Sequence, residues 1–181
     1  MARLDTTNVL ATHFGGGHIE SVVGKAKTGD KEDKQIQCGY VGKIGALVRD
    51  NIYEFLPLAT GDPLYVIATP EVNAKDTSII DRKIVNFVLE AGEVVDAVPI
   101  AVTDKISISE DGVVGKSALV GYLYTKAGED KFQYSATATP SDAIHIFKIE
   151  SIENATQGMV IGLGNTQMQL QYKMIKARRI A

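Results

Sequence analysis

A single cysteine, Cys38, and no tryptophan occur in 181 residues. One cysteine excludes an internal disulfide framework and any cysteine-rich zinc site, so stability has to come from packing or assembly. No apolar run approaches the roughly 20 residues of a membrane helix. The opening MARLDTTNVL also lacks the apolar centre of a signal peptide, so the expectation is a soluble chain made in the cytoplasm with no membrane partner. Lysine and arginine number 19 against 22 aspartates and glutamates, a net charge of −3, and the basic residues gather only at Lys176, Arg178 and Arg179. That is no electrostatic footprint for nucleic acid. With five prolines and no tryptophan, the chain is neither a proline-rich linker nor a tryptophan-lined sugar binder of the usual kind.

What is present is a mainly apolar, β-patterned chain. Hydrophobic residues make up 45% and charged residues 23%, which fits one folded core and is far from a disordered composition. MQLQYKM (168–174) alternates Met168, Leu170, Tyr172 and Met174 with polar residues, the pattern of a half-buried strand. DKISIS (104–109) alternates in the same way through Ile106 and Ile108, and AIHIFKI (143–149) starts with Ile144 and Ile146 around His145. The step from Phe147 to Ile149 then changes phase, which suggests a bulge.

SALVGYLY (117–124), LYVIAT (64–69) and VVDAVPI (94–100) also read as strands. Turn residues separate these segments at TGDP (60–63), EDG (110–112), AGED (127–130), TPSD (139–142) and GLGN (162–165). Many short strands so spaced predict an antiparallel sandwich or barrel-like domain. One short helix is expected within 78–89, where Ile80, Ile84, Phe87 and Val88 have helical spacing ahead of Gly92. Residues 1–34 are expected to form an N-terminal arm and an exposed polar loop, and 35–181 the β-rich globular domain.

The motifs with chemical overtones fail on their company. THFGGGH (12–18) holds two of the three histidines, but His13 and His18 share neither a helix face nor a strand face, and a metal needs three or four converging ligands. GVVGKS (112–117) has Glu110 where a phosphate-binding loop needs its first glycine, and a strand-like run follows it. GLGNT (162–166) matches only part of a dinucleotide fingerprint and reads better as a hairpin turn. Neither Cys38 nor the acidic residues Asp76, Asp81, Glu90, Glu93 and Asp96 have neighbours in sequence that would activate them. The expectation is a non-enzymatic protein with no catalytic residue, no metal and no cofactor.

Residues 64–109 carry a resemblance. A strand running into ATPE (Ala68–Glu71) is followed by an acidic helical stretch (Asp81–Leu89), an AGE turn (Ala91–Glu93), and a strand and turn leading to an alternating segment (Val94–Ile108). This resembles capsid decoration, or cement, proteins of tailed bacteriophages. The resemblance implies a virion structural protein on the capsid surface, made in the host bacterial cytoplasm. It would bind the major capsid protein, self-associate as an oligomer on the lattice and stabilise the head.

In that setting the segment with Phe14, Gly15, Gly16, Gly17 and Ile19 is the expected partner-binding element. The same residues leave open a tail tube or tail-completion subunit. They also leave open a small β-barrel ligand-binding protein or metalloenzyme using His13, His18 and His145, with the chain's seven tyrosines lining the barrel.

Overall fold

The computed structural model describes residues 18–68, 89–115, 120–163 and 166–181, and for the strand residues between 155 and 172 their pairing and register. Its first hairpin follows from a two-residue turn. Asp50 and Asn51 both take positive φ, 39° and 65°, the conformation that a tight β-hairpin requires and that these two residue types tolerate. The turn joins β2 (Val41–Arg49) to β3 (Ile52–Leu56). β3 pairs in parallel with β1 (Glu20–Gly24), β2 pairs with β4 (Tyr65–Ile67), and β5 (Val95–Pro99) joins β4 back to β1, closing a five-stranded barrel. Gly42 lets β2 bend tightly against β3, since a Cβ there would lie 2.6 Å from the Leu56 carbonyl oxygen.

The second half is a six-stranded sheet built from β6 (Lys105–Ser109), β7 (Val113–Val114), β8 (Tyr122–Lys126), β9 (Phe132–Ser135), β10 (Ala143–Leu163) and β11 (Thr166–Arg179). The order across it is β6-β11-β10-β8-β9-β7. Glu110–Gly112 forms a 3-10 turn between β6 and β7. The fold is therefore mainly β and sandwich- or barrel-like, as the alternation and turn spacing imply. The helix expected within 78–89 lies outside the described residues except for Leu89, as do residues 1–17 of the expected arm. Residues 20–24 of that arm are β1 of the barrel.

Two apolar clusters organise the molecule. Val22, Ile36, Phe55, Ile67, Leu89, Val95 and Ala97 fill the barrel, with Tyr40, Tyr53 and Tyr65 half-buried against them. The larger cluster joins Val41, Leu58, Leu64, Val66, Val98 and Ile100 of the barrel half to Ile106, Ile108, Leu123, Phe132, Phe147 and Ile175 of the sheet. β4 and β5 contribute to both clusters from alternate residues, which explains why their sequences are nearly continuous apolar runs. Phe132 and Phe147 meet edge to face with ring centroids 5.3 Å apart, a favoured aromatic geometry.

Two readings of phase change in the structure. Within Ala143–Asn154 of β10 the buried residues are His145, Phe147 and Ile149, while Ile144 and Ile146 are only partly buried. The histidine faces inward because polar partners satisfy its ring, so no phase change is needed at Phe147. The register shifts instead fall between Ala143 and His145 against β8, and between Ile149 and Ser151 against β11. In β6, Ser107 and Ser109 are buried at 1% and 2% exposure along with Ile106 and Ile108, so this strand is covered on both faces.

The polar stretch 24–37 is held down at several points. Lys25, only 6% exposed, pairs with Asp33 at 2.7 Å. The buried Glu54 carboxylate accepts from the Gly29 N–H at 2.7 Å. Lys34 reaches Asp130 in the β8–β9 turn at 2.6 Å. Buried charges are tolerated where each has a partner, and these partners fasten the loop to the barrel wall and the sheet.

Candidate assembly surface

β10 and β11 outrun their neighbours. β8 pairs with β10 only from Ala143 to Lys148, and β6 pairs with β11 only from Met174 to Arg178. The hairpin register continues beyond both, from Asn154↔Lys173 to Leu163↔Thr166. Among the described strands none pairs with this outer part. At the strand rise, Thr166 to Lys173 spans on the order of 25 Å. The result is a two-stranded arm projecting from a six-stranded root.

Along β11, Met168, Leu170 and Tyr172 alternate with Gln167, Gln169 and Gln171. Ile161 is in register with Met168, Gln157 with Leu170 and Ala155 with Tyr172, while Gly162 is in register with Gln167 and Thr156 with Gln171. Between Gln157 and Ile161 the register shifts, an irregularity that adds twist and discourages simple extension of the ribbon.

The root of the arm is braced by ion pairs. Glu150 receives Arg178 Nε at 2.7 Å and Lys105 Nζ at 3.0 Å, binding β10 to β11 and β6. Partial burial pushes the Glu150 carboxyl up, but its bonds to Lys105 and Arg178 outweigh this and hold it below the usual carboxylate range. Lys176 meets Glu153 at 2.8 Å, and Lys173 reaches Glu110 at 3.8 Å. These links fix where the arm leaves the body.

The residues singled out in the sequence fall in different places. Ile19, 63% exposed, directly precedes β1, and His18 beside it is exposed as well. Phe14, Gly15, Gly16, Gly17 and His13 lie outside the described residues. Cys38 is buried, its Sγ 3.5 Å from the Ile67 carbonyl oxygen. Val113 and Val114 of GVVGKS form β7, paired in parallel with β9. Leu163 pairs with Thr166 across GLGN, consistent with a hairpin connection there.

His145 is 7% exposed and both of its ring nitrogens are engaged. Nδ1 lies 2.7 Å from Arg179 Nη2 and Nε2 lies 3.0 Å from the Asp62 carbonyl oxygen. A guanidinium only donates and a carbonyl only accepts, so Nδ1 is the acceptor and Nε2 carries the proton. Burial, and then the positive charge of Arg179, lower the His145 pKa from the usual 6.5 to about 4. The imidazole is therefore neutral at neutral pH and offers no free nitrogen to a ligand.

Among the described residues, no group of three or more histidines, cysteines, aspartates or glutamates is placed to hold a metal ion. A shallow groove of about 340 Å³ is lined by Ala26, Asp30, Lys31, Glu32, Asp33 and Lys34. Its charges are largely paired: Asp33 with Lys25, Lys34 with Asp130, and Asp30 with the Lys27 N–H. The arm was missed in the sequence because only MQLQYKM on its β11 side alternates. The opposing QGMVIGL is broken by Gly158 and Gly162 and has no period of two. Compared with known proteins, the chain matches no family model, no curated protein and no solved structure.

Proposed function

We propose that this chain is a non-enzymatic virion structural protein that binds the outside of a tailed-bacteriophage capsid lattice and stabilises the shell. Its partner is the major capsid protein, and copies of the chain are neighbours on the lattice. The main support is the β10–β11 arm, whose pairing runs beyond β6 and β8 and whose β11 sequence alternates Met168, Leu170 and Tyr172 with glutamine. An isolated two-stranded ribbon is marginal in water, and covering it against a partner stabilises both.

The resemblance carried by residues 64–109 supplies the phage setting. The exposed Ile19, next to Phe14 and the glycine triplet Gly15–Gly17, is a second contact toward the shell. An interface of ordinary strength buries on the order of 1,600 Å², and many weak contacts repeated on one lattice add avidity.

The test is co-sedimentation of the purified protein with capsid shells that lack it. The comparison variant replaces residues 155–172 with a two-residue Asn-Gly turn, leaving the root pairs, Lys173–Glu110 included, intact. Saturable binding at a fixed copy number by the full chain, and loss of at least about tenfold in affinity by the variant, are expected. Equal binding by both would remove the arm from the interface, and no binding by either would overturn the capsid reading. Removing residues 1–19 tests the second contact without cutting into β1.

The β7 edge of the six-stranded sheet, where Val114 is exposed, favours a second reading as a tail tube subunit, since an open edge can join copies. Open-ended polymers of the purified chain would select that reading, and monomers or closed oligomers would select decoration.

A further inference from the structure

The end of β11 is tied to the barrel at one small polar cluster. Arg179 donates through Nη2 to His145 Nδ1 and through Nη1 to the carbonyl of Ile100, just past β5. His145 donates from Nε2 to the carbonyl of Asp62, in the β3–β4 loop. Backbone bonds extend the cluster: Thr103 N–H to the Arg179 carbonyl at 3.0 Å, Arg179 N–H to the Asp104 carbonyl at 2.8 Å, and Ile180 N–H to the Ile146 carbonyl at 2.8 Å. One imidazole and one guanidinium thus join the last strand, the strand beside it and two barrel loops.

We propose that the His145–Arg179 pair is an acid-sensitive latch between the six-stranded sheet and the barrel. A proton on Nδ1 converts the only acceptor that His145 presents to Arg179 into a donor. Two cations then face each other at 2.7 Å in a site where His145 is buried. The guanidinium has to leave, and it carries the Ile100 contact and the end of β11 with it.

The charged groups around the ring do not remove that conflict. From the β3–β4 loop comes Asp62, whose carboxylate is taken by Lys43 of β2 at 2.9 Å and by the Ala59 N–H. From the β5–β6 turn comes Asp104, whose carboxylate accepts from the Ala101 N–H at 2.8 Å. Thr125 of β8 contributes a neutral hydroxyl, which accepts from the His145 N–H at 3.2 Å. The barrel and the sheet are also joined by bonds that use neither His145 nor Arg179, from Val41 N–H to the Asp130 carbonyl and from Gly128 N–H to the Leu58 carbonyl. These bonds contain no titrating group and serve as the internal reference for the latch.

The test follows the imidazole signals by NMR and the amide exchange protection of Thr103, Arg179 and Ile180, from about pH 7 to about pH 4. In the unmodified chain, protection at these amides should fall by about tenfold or more relative to Val41 and Gly128, with the midpoint of His145 titration. His145→Gln keeps a donor and an acceptor but does not titrate, so its protection ratio should stay flat with pH. Arg179→Gln removes the opposing cation and should move the His145 midpoint upward.

Loss of protection in His145→Gln equal to that of the unmodified chain would overturn the latch. So would a His145 midpoint more than about one pH unit from the loss of protection, a criterion that holds even if the glutamine variant does not fold.

Discussion

The two halves of the β10–β11 hairpin have the same pairing but different surroundings. At the root, Phe147 and Ile175 lie in the core shared with the barrel, β8 and β6 flank the pair, and Glu150 binds Lys105 and Arg178 across three strands. In the arm, the ladder between β10 and β11 is the only strand pairing among the described residues. Backbone hydrogen bonds alone contribute little net stability in water, so the root folds by burial, and under the proposed capsid role the arm would gain burial from the partner surface.

The difference can be sharpened by substitution, beginning at the root. Phe147→Ala should destabilise the protein by about 3–5 kcal/mol, because it removes a fully buried ring and its contact with Phe132. Chemical denaturation would register this as a lower midpoint. An effect below about 1 kcal/mol would mean that the root is not the stabilising half.

Acid should act next in size. The His145 pKa is about 4 in the fold against 6.5 ordinarily, so between those values the unfolded chain takes up a proton that the folded chain does not. The contribution is complete above about pH 6.5 and is lost as pH falls toward 4. It should amount to about 2–3 kcal/mol between pH 7 and pH 4.5, read as the difference between the unmodified chain and His145→Gln.

The smallest effect is expected at the ion pairs. Glu150→Gln should cost about 0.2–1 kcal/mol, and less at high salt, because the carboxylate is partly solvated. Thermal melts at low and high ionic strength would separate that electrostatic part from any packing change.

Much of the root was legible in the sequence and the arm was not, for physical reasons that differ by element. Ile106 and Ile108 marked β6, and Met174 marked the inner end of β11, through their alternation with polar residues, although the structure also buries Ser107, Ser109 and Ile175. His145 misled the phase of β10, since a histidine with two bonded nitrogens can face a core and nothing in AIHIFKI reveals its partners, Arg179 and Asp62. β2 and β3 were missed, although Asp50-Asn51 is a hairpin signal that could have located them. β1 was read as part of an arm because its place in the barrel depends on parallel pairing with β3, far away in sequence. The length of the β10–β11 arm is a property of strand register, which composition does not encode.

The most direct measurement is amide hydrogen exchange on residues 143–179, in the free protein and on the capsid shell. The account predicts slow exchange at Phe147, Ile149 and Ile175 in both states. It predicts fast exchange from Asn154 to Lys173 in the free protein, slowed by about tenfold or more on the shell. An arm already as protected as the root before binding, or one that stays unprotected on a saturated shell, would contradict the division of the hairpin into a folded root and a docking arm.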